Sequence, residues 1–115
     1  MGRADEQSRT EIPPGTLYML ILKSLARLGP MHGYGIAQYI QQISDEVLQV
    51  EEGSLYPALQ RMLIKGWVQA EWGQSDNNRR ARYYRLTPLG KKQLGAEISE
   101  FEKVTQAIMR VIQPA

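Results

Sequence analysis

Apolar residues recur along this chain at helical spacing in several stretches, and at strand spacing only in the segment before the last of them. In the first, Leu17, Leu20, Ile21, Leu25 and Leu28 fall three to four residues apart, which predicts a helix over Leu17–Leu28. Met19 and Leu22 widen its apolar face, so it is expected to be buried on more than one side. Pro13-Pro14-Gly15 punctuates ahead of it, Thr16 is placed to cap it, and Gly29-Pro30 ends it. Met31 to Gly35 predicts a turn. A second helix follows over Gly35–Ile43, with Ile36, Tyr39, Ile40 and Ile43 on one face and a break at Ser44-Asp45. Val47, Leu48 and Val50 predict a very short strand or an extended lead-in. The third helix starts between Glu52 and Ser54 and runs to Lys65. Its buried stripe is Leu55, Leu59, Met62 and Leu63, and Gly66 stands at the usual stop. Pro57 is tolerable there because the first amides of a helix lack internal partners.

Trp67–Trp72 and Tyr83–Thr87 are rich in β-formers. Val68, Ala70 and Trp72 share one face of the first segment, and Tyr84 and Leu86 one face of the second, so these aromatics are expected mainly to fill the core of a hairpin. The intervening Gly73–Arg82 is too long for a two-residue turn and predicts a mobile wing, with Asp76-Asn77-Asn78 supplying turn chemistry. Thr87-Pro88 opens the last helix, with Thr as cap and Pro at the first helical position. It runs to Ile112, about 37 Å at 1.5 Å per residue. Leu94, Ile98, Phe101, Thr105, Ile108 and Ile112 step alternately by four and three, a heptad seam. Gly95 and Thr105 weaken the seam, which fits a packed helix pair better than a free coiled coil. The fold class is therefore mainly α with a small β-hairpin: a flexible arm over residues 1–13, a winged helix-turn-helix over 14–87, and a dimerisation helix over 88–115.

Composition narrows the chemistry. The 115 residues suit one domain, and 43% hydrophobic content builds a modest core that a partner would enlarge. The absence of cysteine rules out disulfides and thiolate metal sites and fits a reducing, cytoplasmic setting. No stretch is apolar enough to span a membrane, and the opening MGRADEQSRTE lacks the apolar core of a secretory signal. The net charge of +2 decides nothing, but Arg79, Arg80, Arg82 and Arg85 crowd near a single Asp76. His32 is the only histidine, with no serine or carboxylate placed beside it. Its expected role is to orient the turn, and no enzyme, metal or cofactor is predicted.

The exposed face of the third helix carries Ser54, Tyr56, Gln60, Arg61 and Lys65. Gln60 can pair with adenine and Arg61 with guanine, and a helix start favours phosphate. Glu51 and Glu52 oppose this by repelling phosphate unless they act as caps. Arg79, Arg80 and Arg82 can grip DNA backbone or a narrow minor groove from the wing. A solvated polar face and a solvated charge cluster are the plain alternatives for either region alone. Helix and wing together, in this order, favour DNA.

The segments LYMLILKSLARLGPMHGYGI, VEEGSLYPALQRMLIKGWVQAEW and RRARYYRLTPLGKKQL resemble the PadR family of bacterial transcriptional regulators. The match covers Leu17 to about Leu94, and G-S-L-Y-P-A-L-x-R and Y-Y-x-L-T-x-x-G are its most specific motifs. The resemblance implies a winged helix-turn-helix homodimer that represses transcription from a palindromic operator. Its single helix after the wing is like that of the smaller PadR subfamily. Ser54, Tyr56, Pro57, Gln60, Arg61 and Lys65 would lie on the recognition helix, and Arg79, Arg80, Arg82 and Tyr83 in the wing. The last helix, with Leu94, Ile98, Phe101, Thr105, Ile108 and Ile112, would be the dimer interface. The implied partners are double-stranded DNA, a second copy of the chain and a small aromatic effector for which no residue set is fixed. The alternative is a winged helix that docks protein without reading DNA.

Overall fold

The computed structural model describes residues 10–13 and 15–114. The chain forms β1 (Thr10–Glu11), α1 (Leu17–Leu28), β2 (Met31–His32), α2 (Gly33–Ile43), β3 (Leu48–Gln49), α3 (Glu52–Ile64), β4 (Val68–Gln74), β5 (Arg80–Leu86) and α4 (Pro88–Ile112). The core gathers one stripe from every helix: Ile21, Leu22 and Leu25 of α1, Ile36 and Ile40 of α2, Leu55, Ala58, Leu59 and Met62 of α3, and Leu94 of α4. Val68 and Tyr84 add the inner face of the sheet. α1 is the hub, buried against α2, α3, α4 and β5, as its wide apolar face predicts. Each fully buried aliphatic side chain contributes roughly 1.5–3 kcal/mol. Leu59→Ala in this packing would cost about 2–5 kcal/mol. Ile43 departs from the expected α2 face. It is the last residue of the helix and stays 67% exposed.

Two sheets complete the fold. β4 and β5 pair antiparallel from Val68↔Leu86 to Gln74↔Arg80, and β2 joins on the other side of β5 through Met31↔Tyr84 and His32↔Tyr83. The expected turn at Met31-His32 is therefore a short edge strand, and the second helix starts two residues earlier than predicted. Part of the expected arm is also placed: Thr10–Glu11 pairs parallel with β3, while residues 1–9 lie outside the described residues.

Helix ends follow local chemistry. α3 closes on Gly66 at φ 78°, with the Gly66 amide donating to the Leu63 carbonyl (3.1 Å) and the Trp67 amide to that of Met62 (3.0 Å). This is the paired-bond stop that glycine permits because its left-handed conformation costs little. Thr87 caps α4, its Oγ1 accepting from the Gly90 amide at 3.0 Å and donating toward the carbonyls of Gly66 and Trp67. A methyl group at Gly90 would collide with the Trp67 carbonyl oxygen, so α4 starts flush against the end of α3. Thr16 holds the N-cap position of α1 but does not cap. Its hydroxyl instead donates back to the Pro13 carbonyl at 2.8 Å.

Candidate nucleic-acid interface

At 100° per residue, the α3 stripe of Leu55, Ala58, Leu59 and Met62 faces the core, and the line opposite it is Gly53, Pro57, Gln60 and Ile64. Ser54, Arg61 and Lys65 flank that line on one side, and Glu52 and Tyr56 on the other. All six predicted recognition residues, Ser54, Tyr56, Pro57, Gln60, Arg61 and Lys65, are exposed. Ile64 stands among them at 77% exposure and was missed, although the same spacing points to it. Pro57 is the sixth helical residue, not one of the first four. It therefore removes an amide that would have bonded the Gly53 carbonyl, and the exposed Gly53 leaves that acceptor open to solvent.

The flank cations are held by aromatic rings. Arg61 Nε donates to the Tyr18 hydroxyl at 2.5 Å, and its guanidinium lies 5.8 Å from that ring. Lys65 Nζ lies 5.3 Å from the Trp67 ring, and Tyr18 and Trp67 meet edge to face at 5.6 Å. Ser54, Pro57 and Arg61 line a groove of about 630 Å³ with Tyr18 and Glu11, away from the wing. Trp67 and Tyr18 are half-buried against the core, as expected of hairpin aromatics in the case of Trp67.

The loop of the wing is shorter than predicted. The ladder continues through Trp72↔Arg82 and Gly73↔Ala81 to Gln74↔Arg80, leaving Ser75–Arg79 as the tip. The Ser75 amide donates to the Arg79 carbonyl at 2.8 Å, the Asn78 amide donates to the Ser75 carbonyl at 2.9 Å, and Asn78 takes φ 61°. Asparagine tolerates that conformation better than most residues. Arg80 and Arg82 therefore sit on a strand rather than in a loop, on the Tyr84 face; Arg79 alone remains at the tip. The Arg80 guanidinium lies 4.5 Å from the Trp72 ring, and that of Arg82 6.0 Å from Tyr84. Trp72 does not fill the core. The hairpin outruns the helices, and Trp72 is left 59% exposed. Arg85 points to the opposite face and bonds Gln69.

Between the wing and the start of α2 lies a cleft of about 770 Å³. Arg79, Arg80, Arg82 and Trp72 line it from the hairpin, and Tyr34, Gln38 and Tyr56 from the helices. His32 builds its floor: Nδ1 accepts from the Gly35 amide at 3.0 Å, capping α2, and the ring meets Tyr83 edge to face at 5.3 Å. The orienting role expected of His32 is thus met by a helix cap. Tyr83, predicted in the wing, is half-buried and donates its hydroxyl to the Gln74 carbonyl at 2.8 Å, so it braces the hairpin. Tyr56 lies over Gly33, where a methyl group would stand 2.6 Å from its ring. Burial, then Glu52, then Tyr84 push the Tyr56 phenol above its ordinary pKa, so it is a neutral hydrogen-bond donor. Tyr34 and Gln38 went unrecognised; their only signal is that they fall opposite Ile36 and Ile40 on α2.

Tyr56 and the wing arginines thus meet across one cleft, whereas Arg61 faces a second. Glu51 is the N-cap of α3 without a side-chain bond, and Glu52 follows it exposed, so neither carboxylate is tied up as expected of a cap. On α4, Leu94 is buried and Ile98 and Thr105 half-buried. The rest of the seam is uncovered: Phe101 is 43%, Ile108 52% and Ile112 66% exposed. Val104, Met109 and Val111 widen this apolar surface. Among the described residues, no helix is long and apolar enough to cross a membrane, and no group of three or more metal-ligating side chains gathers.

A helix-turn-helix unit with an exposed third helix and a cationic hairpin beside it defines a winged-helix protein of the DNA-reading class. Residues 21–96 match the transcriptional regulator PadR-like family, and the chain belongs to that family. Its members are DNA-binding regulators of transcription rather than enzymes, and they typically dimerise. A Lysinibacillus sphaericus protein known only as uncharacterized protein X is 31% identical over 100 residues, 87% of this chain and 91% of its own length. A transcriptional regulator structure from Clostridium thermocellum superimposes with a TM-score of 0.78 at 29% identity, over 86% of this chain and 95% of that one. A PadR family transcription regulator from Clostridium difficile R20291 does so at 0.71 and 27%, over 85% and 99%.

Proposed function

We propose that the protein is a homodimeric, sequence-specific repressor that binds a palindromic operator and occludes a promoter. The observation that carries this reading is the meeting of Tyr56 with Arg79, Arg80 and Arg82 across one cleft beside the exposed face of α3. Gln60 and Arg61 would read base edges, while the wing arginines, Tyr34, Gln38 and the Tyr56 hydroxyl would hold phosphate. The uncovered seam Phe101, Ile108 and Ile112 supports pairing with a second copy, continuing from the packed Leu94 and Ile98. Two copies present two recognition helices to half-sites related by two-fold symmetry. Relief by a small aromatic compound is the regulation that the family resemblance suggests.

A gel shift on the region upstream of the protein's own gene, repeated over a salt series and with phenolic ligands, tests this. Retarded, salt-sensitive complexes that a ligand releases are expected. Equal affinity for operator and scrambled DNA would remove the sequence-specific reading. Mass measurement in solution gives the oligomeric state: Ile108→Asp should yield monomers, and a wild-type monomer would remove the dimer. The docking-module reading draws on Ile64 at the centre of the α3 face and on the free Glu51 and Glu52. Failure of every DNA fragment to bind at low salt would favour it.

A further inference from the structure

Trp72 lies outside the core and, unlike Tyr83, is left exposed on the hairpin, so its place needs a reason. It projects from β4 into the cleft at 59% exposure, directly across from Arg82 and diagonal to Arg80. Arg80 and Arg82 lie two residues apart on the same face, about 6.7 Å along the strand. Left to themselves, two guanidiniums at that spacing repel and swing apart into solvent, each with a long side chain's rotamer freedom. Trp72 offers Arg80 a π-face at 4.5 Å, the closest of the cation–ring pairs in the described residues. An indole is the best aromatic partner for a cation.

We infer that Trp72 is a positioning residue for DNA binding, holding the Arg80 guanidinium inside the cleft before the phosphate arrives. The inference rests on the reading of the wing as a DNA-backbone grip and adds to it a division of labour within the hairpin. Arg80 supplies the charge; Trp72 removes part of the ordering cost that a free arginine meets on binding. A guanidinium stacked on a ring keeps its edge N–H groups free, so the contact leaves the donors available to phosphate oxygens.

The test is a double-mutant cycle on the full-length protein, with affinity measured by fluorescence anisotropy on operator and scrambled duplexes. Trp72→Ala should weaken binding to both about two- to fivefold, the range one exposed cation–π contact supports. It should leave the salt slope nearly unchanged, because the charge remains. Arg80→Ala should lower that slope by about 0.9. In the Arg80→Ala background, Trp72→Ala should cost nothing more; with Arg80 present, Trp72→Phe should keep most of the wild-type affinity that Trp72→Ala loses. Losses that multiply, or no loss from Trp72→Ala, overturn the positioning role alone. Full binding by Arg80→Ala overturns the wing reading and the inference with it.

A second measurement needs no DNA. The chain has two tryptophans, and Trp72→Phe identifies which indole N–H resonance belongs to Trp72. Arg80→Ala should move that resonance and leave the one from Trp67 in place. An unmoved Trp72 resonance overturns the proposal.

Discussion

The flank of α3 and the wing use the same pairing of cation and aromatic ring on different mounts. Arg61 and Lys65 rest on Tyr18 and Trp67, which are half-buried parts of the scaffold, and Arg61 is further pinned by a 2.5 Å hydrogen bond. Arg80 rests on Trp72, which is exposed and lies on a two-stranded ribbon. A side chain that discriminates bases must be held to a fixed geometry by its supports. A side chain that meets phosphate needs charge and reach, and tolerates a softer mount. The contrast makes separable predictions about sequence choice and salt dependence.

The largest expected effect is on the wing. Arg80→Ala with Arg82→Ala should weaken binding to every duplex and reduce the slope of log affinity against log salt by about 1.8, two phosphate contacts at about 0.9 each. Sequence preference should survive, and its loss would break the separation. Next comes Gln60→Ala, which should lower discrimination at particular base pairs by about 1–3 kcal/mol with the slope unchanged, as read from operator variants. Tyr18→Phe should do less: it keeps the ring and removes the pin on Arg61, so operator preference should fall a few-fold while thermal stability holds within the worth of one hydrogen bond, about 1 kcal/mol. An unaltered preference would reduce the Tyr18 contact to packing. Glu52→Gln should act in the opposite direction, raising affinity for all duplexes by a few-fold at low salt and not at high salt. The smallest effect is a flat profile. The raised Tyr56 phenol stays protonated in the fold, so its contribution to stability is present below about pH 10 and is lost only as pH climbs through the raised value. DNA affinity should therefore hold between about pH 7 and pH 9. A fall within that window that disappears in Tyr56→Phe would show the phenol ionising early.

What was legible in the chain depended on which forces set each element. α1 and α4 begin and end where expected, because Gly29-Pro30 and Thr87-Pro88 are strong local signals bracketing clear apolar periodicity. The wing strands were drawn too short because Gly73, Gln74 and Arg80–Arg82 have no apolar alternation; cross-strand bonding alone extends the ladder there. β1 and β2, two residues each, exist only through partners distant in sequence. Trp72 misled for a related reason: alternation with Val68 and Ala70 predicts its face correctly, but not that the sheet has by then left the helices behind. The exposed face of α3 could be read from spacing. The cleft could not, since Tyr34, Gln38 and the hairpin come together only after β2 docks on β5.

The joint at Thr87 has mechanical meaning. One hydroxyl ties the end of α3, the root of the hairpin and the first turn of α4 into a single knuckle, and Gly90 leaves no slack in it. α4 is a stiff arm of about 37 Å leaving that knuckle. By simple leverage, a 5° rotation of the reading head about the knuckle sweeps the far end of α4 through about 3 Å, given that arm length. Run in reverse, an ångström-scale shift at Ile112 becomes only a degree or two at Gln60. If the exposed face of α3 reads DNA as proposed, coarse displacement at the tail would translate into fine adjustment there, to the extent that the packing of Leu94 and Ile98 on the core lets α4 and the head turn together.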